Sequence, residues 1–204
     1  MGYVGIVDFK SNNASSVLNV VASLGYDAKL VKNVFEIENS AHLIIPGVGH
    51  IDSLVTEMDQ LSLRECLTTY AKSGKSVLGI CLGQHLLGRR SEESLSAKTL
   101  GVLDFEVDRI PANLEMDLRV PHVGWNSVKI DKENAIFQGI PDQSDFYFSH
   151  SYGITKKCNA TLASTGHSIR FTSVVGVDNV YGVQFHPEKS QKVGRRLLEN
   201  FCRL

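Results

Sequence analysis

Charge of one sign is the first thing this chain lacks. Its 204 residues hold 21 Lys and Arg against 22 Asp and Glu, a formal net charge of −1. That balance gives no electrostatic footprint for nucleic acid or for an anionic membrane surface. Long apolar runs are missing as well, since none approaches the ~18 residues of a membrane-spanning helix. Repeats, linkers and low-complexity tracts are absent. With 43% hydrophobic and 21% charged residues, a disordered chain is excluded. Cysteine is sparse: Cys66, Cys81, Cys158 and Cys202 lie far apart, form no CxxC pair and have no His at zinc-ligand spacing. A disulfide framework and a structural zinc are both disfavoured by that scatter. His85, His122 and His150 likewise follow no metal-ligand spacing, so neither a metal nor another cofactor is expected. Residues 1–8 read as a strand without the basic head of a signal peptide, and with reduced thiols they point to a cytoplasmic chain.

What is present suffices for one domain spanning residues 1–204. Area scaling at 22.5 kDa gives a folded surface of roughly 9,500 Å², which buries about 70% of what the unfolded chain exposes. Short apolar runs at 3–7, 28–31, 42–45 and 76–80 read as buried strands. A helix is predicted after the caps offered by Ser11, Asn12 and Asn13, with Val17, Leu18, Val21 and Leu24 at helical spacing. Further helices are predicted at about 61–73 and at 82–90. Beyond Ser91 the pattern becomes strand-rich, with runs at 101–110, 119–130, 146–154, 161–164, 174–177 and 180–185. The last two flank Asp178-Asn179, a two-residue hairpin turn. A final helix, 191–202, follows Ser190 as its cap. The predicted fold is α/β: a three-layer sandwich with a mostly parallel central sheet and a β-rich C-terminal half.

The sharpest chemical feature is Gly79-Ile80-Cys81-Leu82-Gly83. A Cys between a strand and a helix, with Gly two residues to either side, is the pattern of a nucleophile elbow. The helix that follows points its amino end at the sulfur, which favours thiolate, and Leu82 N–H is placed to donate to an oxyanion. A buried structural Cys beside packing glycines is the plainer reading. The second feature is Gln184-Phe185-His186-Pro187-Glu188. In extended chain, i and i+2 share a face, so His186 and Glu188 can act as a base and the carboxylate that orients it; separately they read as surface residues at a strand end. The third, Ile44-Ile45-Pro46-Gly47-Val48-Gly49, runs a strand into a Gly-rich turn whose backbone N–H groups can complete an oxyanion hole.

Together these segments resemble the class I (triad-type) glutamine amidotransferases. Pro121-His122-Val123-Gly124-Trp125-Asn126, Tyr147-Phe148-Ser149-His150-Ser151-Tyr152 and Tyr181-Gly182-Val183-Gln184 narrow the resemblance to the glutaminase subunits of imidazole glycerol phosphate synthases, over essentially the whole chain. The resemblance implies a thioester mechanism on L-glutamine with Cys81 as nucleophile, His186 as general base and acid, and Glu188 orienting His186. It implies Val48 and Leu82 as the oxyanion-hole N–H groups, and Gly49, His85, His150, Ser151 and Tyr152 around the substrate. Pro121, His122, Trp125 and Asn126 would meet a (β/α)₈-barrel cyclase subunit in a heterodimer. That subunit would use the ammonia to make imidazole glycerol phosphate and aminoimidazole carboxamide ribonucleotide. By residue type alone, Trp125 fits an interface anchor or a core residue equally well.

Two departures stand out. The family's elbow continues Cys-x-Gly-x-Gln, whereas here His85 occupies the Gln position. An imidazole lacks an amide's paired donor and acceptor, and one lost hydrogen bond weakens glutamine binding by about 1 kcal/mol. The loop after the first strand is Phe9-Lys10-Ser11-Asn12-Asn13 where the family is Gly-rich, and His50-Ile51 follow the oxyanion turn. These departures keep two alternatives open: a divergent copy that feeds ammonia to another synthase, such as one amidating a sugar, and a non-catalytic partner or scaffold that has lost turnover.

Overall fold

The structure is a computed structural model that describes residues 2–10, 13–113, 115–116 and 118–204. In chain order the first half comprises β1 (Val4–Val7), α1 (Ala14–Ser23), β2 (Ala28–Val31), α2 (Val34–Glu38), β3 (His42–Gly47), α3 (Ile51–Gln60), α4 (Arg64–Lys72), β4 (Val77–Cys81) and α5 (Leu82–Leu87). The second half supplies β5 (Arg90–Ser91), β6 (Glu106–Arg109), β7 (His122–Ile130), β8 (Ser144–His150), β9 (Tyr152–Gly153), β10 (Thr161–Gly166), β11 (Arg170–Val177), β12 (Val180–Val183) and α6 (Gln191–Phe201). Single 3-10 turns sit at Ala135–Phe137 and Pro187–Lys189.

Nine strands form one sheet in the order β2-β1-β3-β4-β12-β11-β10-β7-β8, and β5, β6 and β9 form a small second sheet. Pairing is parallel from β2 to β12 and antiparallel from β12 to β8. The sheet is therefore mixed, with its parallel half bearing the elbow. The inner strands of that half, β1, β3 and β4, are apolar on both faces, as burial on both sides requires, whereas the edge strand β2 keeps Lys29 exposed. Val4, Ile6, Ile44, Leu78 and Ile80 pack with α1 and α6. Val7, Leu43, Ile45 and Val77 pack with α3, α4 and α5. The folded surface is 9445 Å², close to the value expected from mass.

Several boundaries differ from the sequence-based expectations. β3 runs through Pro46 to Gly47 instead of stopping at Ile45. Its pairing with β1 ends at Ile44, so at Pro46 only the β4 side is paired, and a strand open on one side tolerates proline. The helix expected at 61–73 begins at Arg64, while α3 precedes it, with Ile51, Leu54, Val55 and Met58 buried at helical spacing. The helix expected at 82–90 ends at Leu87, where Gly88 takes an extended conformation. Of the run at 101–110, only Glu106–Arg109 is strand. The run at 146–154 bends at Ser151 and passes from one sheet to the other. The hairpin at Asp178-Asn179 forms as expected, with Val177 opposite Val180. Ser11 and Asn12 lie outside the described residues. Asn13 stands at the N-cap of α1 and Ser190 at that of α6, yet neither side chain makes a capping bond.

Candidate active site

Cys81 ends β4 and α5 begins at the next residue, so the chain must reverse direction at the sulfur-bearing position. It does so with Cys81 at φ 54° and ψ −108°, a left-sided backbone that L-residues rarely adopt and that persists only when its surroundings enforce it. Those surroundings are glycine contacts. A Cβ on Gly83 would stand 1.8 Å from Ile45 O, and one on Gly79 would stand 2.5 Å from Gly83 O. A Cβ on Gly47 would meet Leu82 Cβ at 2.8 Å. The ends of β3 and β4 and the start of α5 are thus in backbone contact, which brings Val48 beside Leu82. Both residues line a cleft of about 530 Å³ that also contains Cys81.

His186 lines the same cleft as Cys81, with Glu188 behind it, although a hundred residues separate them from Cys81 in sequence. β12 pairs with β4 in parallel, Val183 opposite Ile80, so the segment after β12 emerges next to the elbow. His186 Nδ1 lies 2.8 Å from Glu188 Oε1, and both side chains are almost fully buried. Burial opposes a charge on His186, but its interactions with Cys81 and Glu188 outweigh that effect and raise its pKa to about 10. The imidazole is therefore held as the cation that a cysteine thiolate requires. Ser190 supports the segment: its Oγ donates to His186 O and accepts from Tyr147 N, which explains why it caps nothing. Asn13 Nδ2 donates to Glu188 Oε1 at 2.8 Å. The first loop of the chain thereby reaches the carboxylate behind His186.

The cleft is lined further by Gly49, His85, Pro121, Ser149, His150, Ser151, Tyr152 and Lys189. His85 is buried, and its Nε2 lies 2.9 Å from Gln184 Oε1, while Nδ1 has no partner. Burial lowers its pKa to about 4, so it is neutral at pH 7. Gln184 in turn directs Nε2 at Cys81 Sγ, 3.9 Å away. Glu93 also faces the cleft and accepts from Ile51 N at 3.0 Å; burial raises its pKa against the opposing effect of that bond. Sequence reasoning missed Asn13 as a site residue, Glu93 and Lys189. Asn13 and Glu93 reach the cleft only through tertiary contact, so no local pattern marks them, whereas Lys189 directly follows Glu188 and its position beside the motif is the signal that could find it. His50 is the N-cap of α3, its Nδ1 accepting from Asp52 N at 3.3 Å.

The segment expected to face a partner divides. Trp125 is 48% exposed and packs edge-on against Tyr147, with 6.1 Å between ring centroids, which excludes the core reading. Val123, two residues away on the same face of β7, is 57% exposed. Lys189 lies over the Tyr147 ring, so this face adjoins the mouth of the cleft. Pro121 lines the cleft instead. His122 is buried and its ring bonds to His150, a correction to its placement on the partner face: a side chain held inside cannot present itself to another subunit. The amide of Asn126 is likewise engaged within the chain, with Gly166 O, Ser127 N and His122. Among the described residues, no three His, Cys, Asp or Glu side chains are grouped to hold a metal, and no helix is long and apolar enough to cross a membrane.

Residues 5–204 match the family described as glutamine amidotransferase class-I. The chain is 40% identical over 201 residues to the imidazole glycerol phosphate synthase subunit HisH of Escherichia coli (strain K12), covering 98% of this chain and 99% of that one. It is 38% identical over 202 residues to the protein of the same name from Buchnera aphidicola subsp. Acyrthosiphon pisum (strain APS), covering 99% and 100%. A solved structure described as a glutamine amidotransferase superposes with a TM-score of 0.78 at 20% identity, covering 99% of this chain and 98% of that one.

Proposed function

The chain belongs to the class I glutamine amidotransferases, and from that membership we propose that it hydrolyses L-glutamine to glutamate and ammonia through a thioester on Cys81. The observation that carries this reading is the buried Cys81–His186–Glu188 array, with Cys81 on a strained elbow at the cleft. The sulfur attacks the side-chain carboxamide carbon, and the backbone N–H groups of Val48 and Leu82 receive the oxyanion. His186 delivers its proton to the departing ammonia. It then takes a proton from the water that opens the thioester, while Glu188 holds the ring orientation through both steps. Glu93 offers a carboxylate to the substrate's ammonium, and Gly49, His85, His150, Ser151 and Tyr152 form the wall around it.

The relatives are named as subunits of imidazole glycerol phosphate synthase. We extend that role to this chain: its ammonia passes in the cytoplasm to a (β/α)₈-barrel cyclase subunit, which forms imidazole glycerol phosphate and aminoimidazole carboxamide ribonucleotide. The exposed Val123–Trp125 face beside the cleft mouth suits that heterodimer, because aromatic anchors dominate interface energetics. The test is glutamate release from glutamine with and without the cyclase subunit and its ribonucleotide, with Cys81→Ser as the blank. Release that rises strongly with partner and nucleotide is the expected result. Release that ignores this partner refutes the acceptor, and a rate equal to the blank in every pairing refutes the glutaminase.

A further inference from the structure

We propose that His122 and Asn126 are positioning residues for the substrate wall, linked to it by a one-way chain of hydrogen bonds running Asn126 → His122 → His150 → Tyr152 C=O. The wall is the bend at Ser151, where the chain leaves β8 in the large sheet and enters β9 in the small one. Ser149, His150, Ser151 and Tyr152 all line the cleft, so the shape of this bend is the shape of the site. His150 ties across it.

The direction of the chain follows from its ends. His150 Nδ1 is 2.8 Å from Tyr152 O; a carbonyl only accepts, so Nδ1 carries the proton. In a neutral ring Nε2 is then bare, and His122 Nδ1, 3.0 Å from it, must donate. His122 Nε2 is bare in turn and accepts from Asn126 Nδ2 at 3.2 Å. The other end gives the same answer independently. Asn126 Nδ2 also donates to Gly166 O at 2.8 Å, and its Oδ1 accepts from Ser127 N at 2.9 Å, which fixes the amide orientation. The relay needs both rings neutral, and burial lowers His122 to about 4 and His150 to about 3. The His122 ring cannot swing out of line, because it is stacked between Phe148 and His167 at centroid distances of 4.8 and 4.2 Å.

The positioning role rests on the glutaminase reading, whereas the proton order of the relay does not. Ring-¹⁵N shifts of the wild-type chain at pH 7 are expected to show both histidines protonated at Nδ1 and bare at Nε2. Asn126→Asp puts an acceptor where the relay needs a donor and is expected to draw a proton onto His122 Nε2. His122→Phe keeps the stack and removes the N–H. With the complete synthase it should raise the KM for glutamine about tenfold, the size of one buried hydrogen bond, with kcat within about threefold. His122→Gln, whose amide N–H can reach the same acceptor, should recover most of that loss. A wild-type His150 protonated at Nε2, or ring shifts untouched by Asn126→Asp, overturns the relay even if His122→Phe fails to fold. A fall confined to kcat, or no change, overturns the positioning role. Absence of turnover in the wild-type synthase refutes the glutaminase reading instead and takes the positioning role with it, leaving the proton order to the ring shifts.

Discussion

Glu188 accepts from His186 Nδ1 at 2.8 Å while nearly fully buried, so its charge acts on the imidazole with little screening. Glu188→Gln should lower kcat by roughly 10²–10⁴-fold, as loss of the orienting carboxylate does in related triads. His186 sits above its ordinary pKa partly because of Glu188; without that charge it gives up its proton at lower pH. The alkaline limb of the pH–kcat/KM profile should therefore move downward, and an unmoved limb would show that Glu188 does not set the charge of His186. His85→Gln is expected to improve glutamine affinity about fivefold, equivalent to one hydrogen bond, as read by steady-state KM; no gain would mean that position 85 does not limit binding. The candidate triad is legible in the sequence because its signals are local: two glycines around Cys81, and a two-residue step from His186 to Glu188. Asn13 is not, since its partner lies 175 residues away and no periodicity links the two. His122 shows the converse. The segment resemblance implies an outer face for it, whereas strand alternation sends its side chain inward and that of Trp125 outward.

The elbow depends on three elements touching through glycine. Gly83→Ala would place a methyl carbon 1.8 Å from the Ile45 carbonyl oxygen, a backbone atom that cannot rotate away. The substitution should cost more than the ~1–3 kcal/mol of ordinary overpacking and show as a large drop in urea midpoint or in soluble yield. Gly166→Ala, with open space around the added methyl, should change stability by no more than about 0.5 kcal/mol and leave the midpoint nearly unmoved. Near-equal midpoints for the two would sink the close-approach account of the elbow. The parallel half of the sheet was readable from its apolar runs bounded by turns. Neither α2 nor α3 is fully marked by the sequence pattern. α2 has five residues, too few to show a period. α3 carries a clear apolar stripe, but its N-cap is His50, whose imidazole replaces the usual hydroxyl or carboxylate. Runs such as 101–110 were overextended because an apolar stretch beside a sheet resembles a strand without the pairing that makes it one.

Titration of the buried histidines sets how the molecule as a whole responds to pH. His85 and His122 are lowered to about 4 and His150 to about 3, all primarily by burial, from 6.5. Unfolding lets each of them bind a proton below pH 6.5 that the native state refuses. Stability is therefore intact above that pH and declines as pH falls toward 4 and 3, by up to about 4 kcal/mol per pH unit for three rings together. His186 has the opposite sign: its contribution is full below 6.5 and fades as pH rises toward 10. Urea midpoints from pH 4 to 10 should peak near neutrality, and His85→Gln should flatten the acid side; an acid limb unaltered by that substitution would remove His85 from the account. The contact between Asn13 and Glu188 has a consequence for biosynthesis. Translation at 5–20 residues per second delivers His186 roughly 5–20 s after Cys81. Until synthesis has passed Glu188, a nascent chain presents a thiol without its base and the carboxylate that orients it, so ammonia release waits for that segment to emerge and dock.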